Sequence, residues 1–115
     1  MKKDPLVFIN HIKDSINLIE DFMEDVDQIT FIENKLIQSA VIRQIKIIGE
    51  ATKNIPNDFR EQYPETPWKD IAGMRDKIIH HYFEVNLQQV WNVVKEDIPK
   101  LKRQIQKIME KETKR

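Results

Sequence analysis

Apolar residues recur along this chain at alternating steps of three and four, and that period limits the possible folds more than any other property of the sequence. Ile9, Ile12, Ile16, Ile19, Met23 and Val26 mark one buried stripe on a first helix that opens near Pro5, since side chains three and four apart share a helix face. Leu87, Val90, Trp91, Val94, Ile98, Leu101, Ile105 and Ile108 mark a last helix, with Asn86 as its cap and a kink expected at Pro99. Between them, Leu36, Ile37, Ala40, Val41, Ile45, Ile47, Ile48 and Ala51 spread around more than one face, as on a central helix with several neighbours. Thr30-Phe31-Ile32-Glu33 matches a capping box, which predicts that this central helix runs from about residue 31 to 54.

Punctuation is sparse. Two glycines and five prolines in 115 residues favour long helices over a turn-rich sheet, and the length suits one compact domain. The expectation is therefore a single all-α domain over residues 1–115, an antiparallel bundle with one short extra helix. Pro56, Pro64 and Pro67 leave room for that short helix between Asn57 and Tyr63. Thr66-Pro67-Trp68 then reads as a helix start, with Thr66 as N-cap and Pro67 as the first helical residue. Gly73 interrupts this helix and permits a bend or a change of axis.

Composition excludes several classes of function. There is no cysteine, which removes disulfides, thiolate nucleophiles and cysteine-based zinc sites and is compatible with a reducing cytoplasm. Apolar runs are too short for a membrane span, and the first residues are not followed by a signal-peptide core; a soluble, cytoplasmic protein is expected. Nineteen basic residues balance nineteen acidic ones, so any attraction for a polyanion has to be local. Asp14, Glu20, Asp21, Glu24 and Asp25 read as a solvated face. Residues 100–115 hold seven Lys or Arg against two Glu, read first as a frayed helix end whose cations suit the dipole and second as guidance for a polyanion.

One segment concentrates chemistry: Arg75-Asp76-Lys77-Ile78-Ile79-His80-His81-Tyr82. A fixed cation beside imidazoles that exchange protons near neutral pH is what handling a phosphodiester requires. On a straight helix, with about 100° per residue, Arg75, Ile79 and Tyr82 fall near one face and His80 lies about 140° from Arg75. Asp76 is one turn before His80, so the expected pairing is Asp76 with His80. Arg75 and His80 would then meet most readily across a two-fold axis, in a cleft shared by two copies. There His80 would accept the 2′-hydroxyl proton or donate one to the leaving 5′-oxygen, Arg75 would stabilise phosphate charge, and His81 and Tyr82 would position substrate. The structural alternative makes Arg75 a surface ion-pair partner, His80 a polar helix residue and Tyr82 a core-edge aromatic.

Other candidates are weaker. Asp76, His80 and His81 lack the i, i+4 histidine pair of a zincin helix, so no metal site is expected. His11 is isolated. Glu50 either pairs with a cation at the site or reaches solvent. Trp68 and Trp91 read as core or interface anchors.

The ordered motifs resemble the HepT-like toxins of the HEPN superfamily, whose signature R-x(4)-H-x-Y is matched by Arg75, His80 and Tyr82. Ile47-Ile48-Gly49-Glu50-Ala51, Trp68-Lys69-Asp70-Ile71-Ala72-Gly73-Met74-Arg75, Tyr82-Phe83-Glu84-Val85 and Asp97-Ile98-Pro99-Lys100-Leu101 also look like family segments in the usual order. The resemblance implies a homodimeric helical bundle acting as a metal-independent ribonuclease without a cofactor. Arg75 and His80 would carry catalysis, assisted by Asp76, a position that is often Asn in related sequences. It also implies a cognate minimal nucleotidyltransferase antitoxin that transfers AMP onto Tyr82. Alternatives are a non-catalytic module that binds a nucleotide or a partner, and a purely structural subunit of an obligate assembly.

Overall fold

The computed structural model describes residues 4–80, the last by its backbone, and 84–114. Helix α1, Pro5–Phe22, is capped by Asp4, whose carboxylate accepts from the Leu6 amide at 2.9 Å, and Pro5 stands at its start. Ile9, Ile12, Ile16 and Ile19 are at most 1% exposed, so the stripe faces the core as its period predicts. The helix stops before Val26. Asp25 takes a φ of 58°, the left-handed conformation that few L-residues adopt and that turns the chain away from a helix end.

The expected helix over residues 31–54 is two helices: α2, Gln28–Glu33, and α3, Lys35–Lys53. Asp27, not Thr30, caps α2, its Oδ1 accepting from the Thr30 amide at 2.8 Å. That bond, with a smaller contribution from the Thr30 hydroxyl, holds the Asp27 carboxyl below its ordinary range. Asn34 then breaks the helix with φ −110° and ψ 98°, and accepts from the Ile37 amide at 3.0 Å. A short amide side chain offers the backbone a local acceptor, which competes with continued helix. Gln38 closes the junction, donating from Nε2 to the Phe31 and Ile32 carbonyls at 2.8 and 2.9 Å, so the carbonyls that end α2 are satisfied.

Helix α3 has the several-sided role read from its sequence. It packs against α1 and against α5 and α6, and Val41, Ile45 and Ile48 are fully buried. Helix α4 is Asn57–Glu61, inside the window left by the prolines. Helix α5, Trp68–Ala72, has Pro67 rather than Thr66 at its cap position; the Thr66 carbonyl accepts from the Trp68 amide at 2.8 Å instead. Gly73, at φ −91° and ψ 7°, ends α5 and begins α6, Met74–Ile78. Gly49 of α3 lies under this junction, where an added Cβ would be 3.2 Å from the Ala72 carbonyl oxygen.

Beyond α6 the chain extends into two short antiparallel strands, β1, Ile79–His80, and β2, Glu84–Val85. Ile79 pairs with Val85 and His80 with Glu84. Asn86 donates its amide to the Ile78 carbonyl at 2.9 Å. Its side chain caps α7, Leu87–Asn92, by accepting from the Gln89 amide at 3.1 Å. A π-helical turn, Val93–Asp97, joins α7 to α8, Ile98–Thr113.

The kink expected at Pro99 takes the form of that turn. The Ile98 amide donates to the Val93 carbonyl, five residues back. A proline after it supplies no amide and its ring crowds the carbonyl four residues earlier, which a wider turn accommodates. Helix α8 lies along α1, with Lys102 paired to Glu20 at 2.8 Å. Among the described residues α8 is helical to Thr113, the Tyr63 hydroxyl donates to the Glu112 carboxylate, and Lys111 stands 5.4 Å over the Tyr63 ring. Among the described residues no helix is long and apolar enough to cross a membrane.

Candidate active site

The chemistry-rich segment divides at Ile78. Met74 and Ile78, one turn apart, are 5% and 0% exposed and anchor α6 in the core. Arg75, half-buried, and Asp76 and Lys77, both exposed, stand between them on the outer side. Lys77 reaches across to Asp97, Nζ to Oδ2, at 2.8 Å. Among the described residues the side chains of Arg75 and Asp76 have no hydrogen-bonding or ion-pair partner. They are presented rather than consumed by the fold.

The helix expected to carry this segment ends at Ile78. Ile79 has φ −107° and ψ 123°, so from there the chain advances along a strand instead of rotating about an axis. The one-turn relation that paired Asp76 with His80 therefore disappears, as does the 140° separation of Arg75 and His80. His80 lies on β1, opposite Glu84. His81 and Tyr82 fall outside the described residues, and with them the alignment of Tyr82 with Arg75. A signal for the strands was present: Ile79 and Val85, which pair, are both β-branched residues that fit strands. The bond between Lys77 and Asp97, twenty residues apart, has no counterpart in local pattern.

Glu50 reaches solvent and pairs with Lys53 of its own helix at 3.6 Å. It belongs to the rim of a groove of about 720 Å³ between α1 and α3, with His11, Arg43 and Lys46, and Val85 of β2 also lines it. His11 is therefore not isolated in space; its ring meets that of Phe8 edge-on at 6.3 Å. Trp68 is buried, its indole donating to the Tyr63 and Arg60 carbonyls at 3.0 and 3.2 Å. Trp91 packs on Phe31 at 5.8 Å. Both serve as anchors, as their apolar neighbours suggested.

Residues 12–108 of this helical bundle match the family model described as "Ribonuclease HepT-like". The chain belongs to this HepT-like ribonuclease family of the HEPN superfamily. It is 54% identical over 110 residues to a Methanocaldococcus jannaschii protein named "Gamma-glutamylcyclotransferase and putative RNase", covering 96% of this chain and 50% of that protein. The chain thus spans half the length of that relative. A Thermococcus cleftensis protein named "Probable ribonuclease HepT" is 47% identical over 108 residues, 94% of this chain and 98% of its own length. A second Methanocaldococcus jannaschii protein, named "Putative RNase", is 45% identical over 105 residues, 91% of this chain and 96% of its own. No solved structure gives a significant match.

Proposed function

We propose that this ribonuclease-family chain is the toxin of a toxin–antitoxin pair, a metal-independent endoribonuclease working in the cytoplasm as one HEPN domain over residues 1–115. The supporting observation is that Arg75 and Asp76 stand on an anchored helix without partners among the described residues, directly before the strand that carries His80.

In the reaction, His80 takes the proton from a ribose 2′-hydroxyl. The 2′-oxygen bonds to phosphorus, the bond to the 5′-oxygen breaks, and a proton is delivered to that leaving oxygen. Arg75 stabilises the charge on the phosphate through its guanidinium. Asp76 assists, and His81 and Tyr82 position the RNA. With α6 ending at Ile78, the helical-wheel argument for a second copy falls away. The composite homodimer cleft rests on the family resemblance instead. Arg43 and Lys46, on the rim of the groove that Val85 of β2 also lines, suit a polyanion near the strands, with the Glu50 carboxylate of the same rim paired to Lys53.

Regulation follows the same resemblance. A cognate minimal nucleotidyltransferase would transfer AMP from ATP onto the Tyr82 hydroxyl, forming the Oη–phosphorus bond and releasing pyrophosphate. The added phosphodiester is bulky and negatively charged, and it would compete with an RNA phosphate for Arg75.

Purified protein should cleave RNA in the presence of chelator, and Arg75→Ala and His80→Ala should each abolish cleavage while leaving the helical circular dichroism unchanged. Unchanged cleavage in either variant removes that residue from the mechanism. Loss of activity in chelator that a divalent cation restores removes the metal-free step. Protein that binds RNA or a nucleotide without cutting it is a binding module instead. Mass analysis of Tyr82 after co-expression with a neighbouring nucleotidyltransferase tests the modification.

A further inference from the structure

Helix α6 has too little of its own to hold Arg75 still. It is one turn and a half long, Met74–Ile78, and it begins on Gly73 without a side-chain cap. Helices this short are marginal in isolation. Met74 and Ile78 fix which side of α6 faces the core, but two apolar contacts on one face leave rotation about that contact line weakly opposed. On the outer side, the described tie is the bond from Lys77 Nζ to Asp97 Oδ2 at 2.8 Å.

The acceptor is unusually placed. Asp97 is the last residue of the π-helical turn, a distortion that recurs at functional sites because it redirects the side chains it carries. Its side chain is 28% exposed, against 49% for that of Lys77, so the pair is partly shielded at the acceptor. The bond joins the end of α6, one residue before the chain leaves for the strand of His80, to the long helical frame of α7 and α8. Arg75 and His80 are thus referred to one frame by this side-chain contact, beside the backbone bond from the Asn86 amide to the Ile78 carbonyl.

We propose that Asp97, acting through Lys77, is a positioning residue that sets the orientation of α6 and hence of the Arg75 guanidinium toward its phosphate. This rests on the ribonuclease reading above. A misplacement of about 1 Å in a catalytic group is enough to cost on the order of a hundredfold in rate, whereas a pair this exposed contributes little to global stability.

The test uses the full chain, a defined RNA oligonucleotide that the wild type cleaves, and four variants: Asp97→Asn, Lys77→Met, the exchanged pair Lys77→Asp with Asp97→Lys, and Arg75→Ala. Both single variants of the pair should lose about tenfold or more in kcat, with KM within about twofold and Tm nearly unchanged. The exchanged pair should return to within about threefold of the wild type, because the contact is remade with opposite polarity. Amide hydrogen exchange at Ile78 and Ile79 should quicken in the single variants and slow again in the exchanged pair.

Wild-type kcat in the single variants, an exchanged pair as slow as they are, or α6 exchange that does not respond would each overturn the proposal. If the wild type leaves every RNA intact, or Arg75→Ala cuts as fast as the wild type, the ribonuclease mechanism fails instead. Hydrogen exchange then still decides whether the contact orders α6.

Discussion

The two halves of the molecule solve different problems. Helices α1, α3 and α8 are long, and their fully buried isoleucines interlock across wide faces. The segment from α5 through β2 is a series of five-residue helices and two-residue strands joined at Gly73 and Ile79. Long helices gain from repetition, since every turn adds a further buried contact to one already formed. Short pieces gain nothing from length and borrow their order from the frame beneath. On the short pieces Arg75 and Asp76 stand without partners among the described residues, whereas each long helix commits one face to packing.

The largest effect expected is on chemistry alone. Arg75→Ala should lower RNA cleavage by at least about a hundredfold, as removal of a charge-stabilising donor does, with Tm within a few degrees of the wild type. Equal losses in Tm and activity would mean that α6 belongs to the frame after all. Next comes the reverse case, Ile45→Ala in α3, fully buried. It should destabilise by about 2–5 kcal/mol in urea titration, while the protein that remains folded keeps its kcat.

Gly49→Ala probes the join between the halves. The new methyl would meet the Ala72 carbonyl oxygen at 3.2 Å, a backbone atom that cannot rotate aside, and the crowding should cost about 1–3 kcal/mol together with several-fold in kcat. A loss of stability without a change in kcat would place the site out of reach of that contact. Smallest is Asn34→Ala, which removes the cap of α3 and should cost about 1 kcal/mol without altering cleavage. It sharpens the comparison by touching the frame at its surface.

What could be read from sequence follows the same division. The stripes of α1 and α8 were legible because a period repeated over four or five turns overrules local propensity. Thr30 misled because Asp27 and Asn34, each able to accept from a backbone amide, bracketed it and won the caps. Arg75, Asp76 and His80 were visible as chemistry. Their geometry was not, since the switch from α6 to β1 at Ile79 depends on pairing with Val85 across the hairpin. The partner of Lys77 was hidden for a similar reason: Asp97 is distant in sequence, and its placement depends on how Pro99 widens the preceding turn.

Asn86 gives the hairpin a particular evolutionary standing. Its amide bonds to Ile78 and its side chain starts α7, so the chain leaves the frame and returns to it at two points held 2.9 Å apart. Whatever lies between is a cassette. Doubling its length would cost only about 0.6 kcal/mol in closure entropy, and neither α6 nor α7 would have to move. Insertions there that keep His80 and Tyr82 would leave the bundle without need of repacking.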